Sequence, residues 1–129
     1  MIIKVTEIGI RPNSSISWNK ILTNDVIEAT LDYINSNRLL GRHQINDKNT
    51  NSTTQYWDNV ESYNLYLKDP RLQQWFENMK EYRLKNNINI TKYTVEEVDE
   101  KNNEVSSLLN KFTIKDENGN EIPFSYFMK

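Results

Sequence analysis

Thr54–Tyr82, TQYWDNVESYNLYLKDPRLQQWFENMKEY, is the stretch whose reading decides the fold of this chain. The β-branched and aromatic residues ending at Trp57 read as the close of a strand. Asp58 with Glu61 three positions later has the spacing of a capping box, which opens a helix. Val60, Tyr63 and Leu67 then share one helical face, with Tyr66 beside it. Pro70 breaks this run, because proline lacks a backbone donor and disfavours helix at the residue before it. The same pair restarts a helix, with Asp69 as N-cap and Pro70 in the first helical position. Leu72, Trp75, Phe76, Met79 and Tyr82 line one face of that second helix, and Glu77, Lys80, Glu81 and Lys85 line the other.

Upstream, Ile2 to Ile10 is rich in β-branched residues and reads as a strand that Arg11-Pro12-Asn13 ends by turn chemistry. A Ser-rich connection follows, with Ile16, Trp18, Ile21 and Leu22 as anchors to the core. Asp25 and Glu28 again have capping-box spacing, and Ile27, Leu31 and Ile34 fall at helical intervals up to about Arg38, with Gly41 as a stop signal. Arg42–Ile45 and Thr53–Trp57 read as strands joined by the polar loop 47–52. Downstream, Ile90–Val98 reads as a further strand with Tyr93 and Val95 on one face. Strand, helix, strand, strand, helix, strand is the split βαβ order, so the expected class is α+β, ferredoxin-like, over residues 1–98. Residues 99–129 read as a charged connector with a helical turn at Val105–Leu109, then a β-hairpin. Phe112 and Ile114 form one arm; Ile122, Phe124 and Tyr126 form the other, around the turn Asn118-Gly119. Two short strands are not stable alone, so this arm is expected to dock on a partner subunit or on the chain's own helices.

The 129 residues suit one domain with a terminal extension. Hydrophobic residues make up 36%, a low share offset by 11% aromatics, each of which buries a large area. A formal charge of −2 gives no basic excess to neutralise phosphates, which argues against nucleic acid as a partner. Cysteine is absent, which excludes disulfides, thiolate metal sites and Cys nucleophiles. The N-terminal MIIKVTEIG has neither the basic region nor the long apolar run of a signal peptide, and no apolar stretch is long enough to span a membrane, so a cytoplasmic location is expected. Frequent Asn, Lys and Ile point to an AT-rich genome, such as that of some bacteria or their phages.

Trp57-Asp58-Asn59-Val60-Glu61-Ser62-Tyr63, followed by Tyr66-Leu67-Lys68-Asp69-Pro70, resembles the antibiotic-biosynthesis-monooxygenase family. In that family's pattern a Trp ends the third strand, an acidic or serine turn follows, and the second helix is broken. The resemblance covers residues 1 to about 98. It implies a homodimer whose two ferredoxin-like sheets pack face to face into an α/β barrel, with a ligand pocket in each subunit between sheet and helices. Activities in the family include cofactor-independent oxygenation of polycyclic phenols and haem degradation, and many members have no established activity. The haem-degrading branch uses an Asn on the first strand, then a Trp and a haem-ligating His in the broken helix. Those positions fall here at about Glu7, at Tyr66 and at Phe76, so the axial ligand is missing and no haem, or other cofactor, is expected.

Residues that carry chemistry in this sequence each have a plainer account. His43 is the single histidine, so any imidazole catalysis must use it, but a lone His is more often a hydrogen-bonded structural residue. One His among scattered acids lacks the spacing of a metal site. Glu7 could face a pocket as a desolvated base, although an outward-facing position suits an unpaired acid better. Asp58 and Glu61 are better explained as caps than as an acid pair. Trp57, Tyr63, Tyr66, Trp75, Phe76 and Tyr82 could wall a pocket for a planar ligand, or could simply be core. Tyr56 and Tyr93 could lie on a sheet face buried in a dimer. Isolated glycines rule out a phosphate loop. The expected function is therefore binding of a hydrophobic or aromatic small molecule, or a scaffold role. The candidate pocket comprises Glu7, His43, Trp57, Tyr63, Tyr66, Trp75 and Phe76. A cofactor-independent monooxygenase and a phage structural protein are the alternatives. A cavity with a polar group would favour the ligand-binding class, and a space filled by the chain's own side chains would favour the scaffold.

Overall fold

The computed structural model describes residues 1–18 and 23–123; the expected anchors Ile21 and Leu22 and the expected arm residues Phe124 and Tyr126 lie outside them. The chain runs β1 (Ile2–Ile10), α1 (Asn24–Asn35), β2 (Leu39–Asn46), β3 (Thr50–Trp57), α2 (Val60–Lys68), α3 (Gln73–Lys85), β4 (Asn89–Val98), α4 (Asn103–Ser106), β5 (Phe112–Lys115) and β6 (Glu121–Pro123). The six strands form one sheet in the order β4-β1-β3-β2-β5-β6. β4, β1, β3 and β2 pair antiparallel throughout, which is consistent with a ferredoxin-like arrangement. The fold is α+β, and the sheet is open and mixed; it does not close into a barrel.

Helix starts differ from the sequence reading in a systematic way. Thr23, not Asp25, caps α1, its hydroxyl accepting from the Val26 amide. Asn59, not Asp58, caps α2, its Oδ1 accepting from the Ser62 amide at 2.9 Å. The Asp58 amide is held by the Arg38 carbonyl at 2.9 Å, which keeps Asp58 with the strand end and moves the helix start on by one residue. Asp69 caps only the turn over Pro70–Leu72, through the Arg71 amide at 2.9 Å, and α3 begins beyond it at Gln73. At α1 and α2 a competing short polar side chain lies within two residues of the expected cap, and local spacing does not choose between them; α3 starts at Gln73 with no side-chain cap.

Three clusters show how the layers stack. Ile3, Val5 and Trp57 from the sheet meet Tyr33 of α1 and Tyr63 of α2. Val26 and Ala29 of α1 meet Leu72, Trp75 and Phe76 around α3. On the opposite face of the sheet, Ile2, Tyr56, Leu40 and Val98 are covered by Val105, Leu108 and Leu109. Tyr56 is thus buried by the chain's own α4 segment, whereas Tyr93 stands on the helix-facing side, half exposed. The two tyrosines do not share a face.

The arm docks differently from expectation. Within the chain β5 extends the sheet and does not dock as a separate arm on the helices, pairing parallel with β2 from Arg42↔Phe112 to Ile45↔Lys115, and β6 pairs antiparallel with β5. The exposed β2 edge offered unpaired backbone donors and acceptors, which β5 satisfies. Gly41 makes the approach possible. A Cβ there would sit 2.7 Å from the Leu108 carbonyl oxygen, and that backbone is pinned by Asn110 N–H to Leu40 O at 2.6 Å and by Arg42 N–H to Lys111 O at 3.1 Å. Gly41 is therefore a strand residue at a close contact and not a helix stop. Gly41→Ala is expected to cost about 1–3 kcal/mol in urea unfolding and to speed hydrogen exchange in residues 103–115. Unchanged exchange in that segment would contradict the close-contact account.

Candidate ligand cavity

Between the sheet and its three helices lies an open cavity of about 320 Å³. Its floor follows from strand alternation, since every second residue of a strand faces the same side. Two rows cross the sheet. One runs Tyr93, Glu7, Thr53, Gln44, Ile114 and the other runs Val95, Val5, Gln55, Arg42, Phe112. The β3 residues Asn51, Thr53 and Gln55 and the β2 residues Arg42 and Gln44 give the floor its polar character. The roof is apolar: Val26 and Ile27 from α1, Leu67 from α2, and Trp75, Phe76 and Met79 from α3, with Trp18 from the preceding loop.

Trp18 is set by Arg11. This buried arginine donates to the Lys48 carbonyl at 2.8 Å and the Ile16 carbonyl at 2.6 Å, and its guanidinium lies 4.5 Å from the centre of the Trp18 ring. One cation thereby ties both loops at that end and holds the indole at the cavity.

Of the residues singled out from the sequence, Glu7, Tyr63, Tyr66, Trp75 and Phe76 line this cavity, and Trp57 and His43 do not. Trp57 is wholly buried, cornered by the rings of Tyr33, Tyr63 and Tyr66 at centroid distances of 5.6, 5.7 and 5.0 Å. It forms the core that backs the cavity. His43 alternates to the opposite face, where its ring nitrogens bond Thr113 Oγ1 and the Leu108 carbonyl, each at 2.8 Å. It pins the C-terminal segment to the sheet. Glu7 does not face outward; it lies in the floor, and Arg83 of α3 reaches it at 3.2 Å.

The Tyr63 and Tyr66 hydroxyls at the cavity are neutral at physiological pH. Burial pushes the Tyr66 phenol up, and burial together with its hydrogen bond to Tyr93 pushes Tyr63 well above the ordinary tyrosine range. Burial also pulls the Arg42 guanidinium below its usual value, though an arginine stays charged at neutral pH. The indole N–H groups of Trp18 and Trp75 are buried and have no hydrogen-bond partner among the described residues. Also among the described residues, no group of three His, Asp or Glu is placed to hold a metal ion, and no helix is long and apolar enough to cross a membrane.

Sequence reasoning did not reach Arg42, Gln44, Asn51, Thr53, Gln55 and Arg83. The available signal was β3 itself, TNSTTQYW, which is polar at the positions that should face a core. A strand polar on its helix-covered side marks a space that is not packed dry. No family model matches the chain, and no curated protein or solved structure gives a match.

Proposed function

We propose that this protein binds a hydrophobic, ring-containing small molecule in the space between its sheet and its helices. The observation that carries the reading is the cavity itself, of about 320 Å³, with a polar floor and an aromatic and aliphatic roof. Sites for small molecules have this composition, and the volume falls at the small end of their range. The resemblance to the antibiotic-biosynthesis-monooxygenase family implies a pocket in the same location. Cofactor-independent oxygenation within that family is the second reading, and the Tyr63, Tyr66, Trp75 and Phe76 wall suits its aromatic substrates. Such chemistry needs a base to ionise the substrate. Glu7, the one carboxylate among the described lining residues, is engaged by Arg83, so binding stands ahead of catalysis.

The cavity is complete within one chain. A face-to-face dimer would use the part of the opposite sheet face that α4 leaves open, around Lys4, Thr6 and Thr54.

Saturable quenching of tryptophan fluorescence by naphthalene-based probes tests the proposal, because Trp18 and Trp75 line the cavity. Thr53→Trp, which places a large ring on the floor, is expected to weaken binding by at least about tenfold while leaving the melting temperature within a few degrees. Equal binding by wild type and Thr53→Trp, or no binding by either, would defeat the reading.

A further inference from the structure

We infer that a second copy of this chain docks edge to edge on β4, the two strands running antiparallel about Thr94, so that two six-stranded sheets join into one. The contact uses the strand edge and leaves the opposite sheet face open.

β4 ends the sheet, and among the described residues it pairs with β1 alone. The ladder fixes which of its backbone groups point outward. The Arg11 amide bonds the Asn49 carbonyl at 3.0 Å, in register with the β1–β3 pairs, so Gly9, Glu7 and Val5 turn their backbone groups to β3. Lys4 and Thr6 therefore turn to β4, where they meet Glu96 and Thr94. Tyr93 and Val95 are left with N–H and C=O directed off the sheet. Their side chains are also open: Tyr93 is 51% exposed and Val95 42%. The Tyr93 hydroxyl is tied to that of Tyr63, which fixes the ring at the edge. β4 is ten residues long and contains no proline, so only charge guards it against pairing.

Those charges are ordered for a copy of the same strand. Pairing about Thr94 sets Lys92 opposite the partner's Glu96 and Tyr93 opposite the partner's Val95, each twice by symmetry. Opposite charges and an aromatic beside a β-branched residue are the favourable cross-strand pairs. Tyr93 and the partner's Val95 then exchange their outward backbone bonds, and Thr94 meets the partner's Thr94 at the two-fold axis. Neighbouring registers that also match donors to acceptors fit less well. Centring on Tyr93 sets Lys92 against a threonine, and centring on Val95 sets Tyr93 against the partner's Glu97. Centring on Lys92 or Glu96 opposes like charges. Lys92 and Glu96 form no ion pair among the described residues, so both are available to the partner. Thr91 is skipped where the register shifts between Ile8 and Gly9, and this bulge ends the regular ladder on that side.

Sedimentation velocity of the full chain is expected to show a monomer–dimer equilibrium with a Kd of roughly 1–100 μM, as suits a short contact. Lys92→Glu should weaken it at least about tenfold, and adding Glu96→Lys should restore it to within about threefold. Val95→Pro removes an N–H that points off the sheet, a position where an edge strand accepts proline, and should leave a folded monomer by circular dichroism. The register has its own readout. The chain has no cysteine, so the variant Thr94→Cys can form a disulfide only with a second copy. Facing residues of a non-hydrogen-bonded antiparallel pair lie within disulfide range, so this variant should crosslink on mild oxidation, and Thr54→Cys on the opposite sheet face should not. If Val95→Pro does not fold, the charge reversal and the crosslink still decide the matter. A chain that stays monomeric across that concentration range overturns the inference. So does a dimer that Lys92→Glu leaves unchanged, or one that crosslinks through Thr54→Cys in place of Thr94→Cys.

Discussion

Trp57→Ala is expected to destabilise the protein by about 3–5 kcal/mol, the range for removing a fully buried large aromatic. The indole is inaccessible to solvent and touches the rings of Tyr33, Tyr63 and Tyr66, so it joins β3 to α1 and α2 in one contact set. Its N–H donates to Gln55 Oε1 at 3.1 Å, and the alanine variant also releases that acceptor. Because a domain of this size is stable by only about 5–15 kcal/mol, the variant keeps a reduced margin and should unfold at a clearly lower urea concentration. Trp57→Phe refills much of the volume and should lose roughly half as much. Urea unfolding followed by circular dichroism measures both, and a loss below about 1 kcal/mol for Trp57→Ala would show that the site collapses around the deletion.

The second large effect belongs to Asp69, the residue at the break between α2 and α3. Its carboxylate is buried and accepts from the Tyr33 hydroxyl at 3.0 Å, from the Arg71 amide at 2.9 Å, and from the Arg71 guanidinium at 2.9 and 3.1 Å. Arg71 also pairs with Asp32 of α1, so the cluster ties the helix break to α1. The hydrogen bonds from Arg71 hold the Asp69 carboxyl down at about 2, below the ordinary carboxylate value. A depressed carboxyl pKa contributes stability that is fully present above the unfolded value near 4 and is lost as pH falls through about 2. Burial and the neighbouring Asp69 raise the Tyr33 phenol to about 12, so its contribution is present below about pH 10 and is lost as pH rises through 12.

Asp69→Asn is expected to cost about 2 kcal/mol at neutral pH, because the Arg71 charge loses its buried partner while the Tyr33 hydroxyl keeps an acceptor. The difference between variant and wild type should shrink steadily between pH 4 and pH 2, where the wild-type carboxyl takes up its proton. Unfolding free energies measured across that window test the assignment. A difference that stays constant down to pH 2 would mean that the carboxylate charge contributes nothing.

Much of the fold was legible from local pattern, for a physical reason. Period-two and period-3.6 spacings set which residues of one element share a face, and they depend only on neighbours in the chain. The alternation of Ile2–Ile10, the stripe from Leu72 to Met79 and the break at Pro70 therefore announced a strand, a helix and a helix boundary correctly. Cap positions were less legible, because Thr23, Asp25, Asp58 and Asn59 are all competent caps and tertiary contacts choose among adjacent ones. At Asp58 the choice is made by the hydrogen bond that its amide donates to the carbonyl of Arg38, twenty residues away.

The cavity shows the same division. Tyr63, Tyr66, Trp75 and Phe76 were accessible to sequence reasoning because a helical stripe of large rings has to face the interior. That Glu7 lies in one row with Thr53 and Gln44 was not, since the β1–β3 register joins residues far apart in the chain, and the local β2–β3 pairing of Arg42 with Gln55 does not by itself say which face meets the helices. β3 is polar on both faces, so its own sequence carries no preference for the side that meets the helices. The position of β5 beside β2 depends likewise on an edge left unpaired and on the absence of a side chain at Gly41. The sequence by itself determined the elements, their order and the inward side of the helical aromatics, because those follow from short-range spacing. Only the tertiary structure decided the polar floor, the place of Arg42 in it and the docking of the C-terminal strands, because those follow from long-range strand pairing and from which sheet face the helices cover.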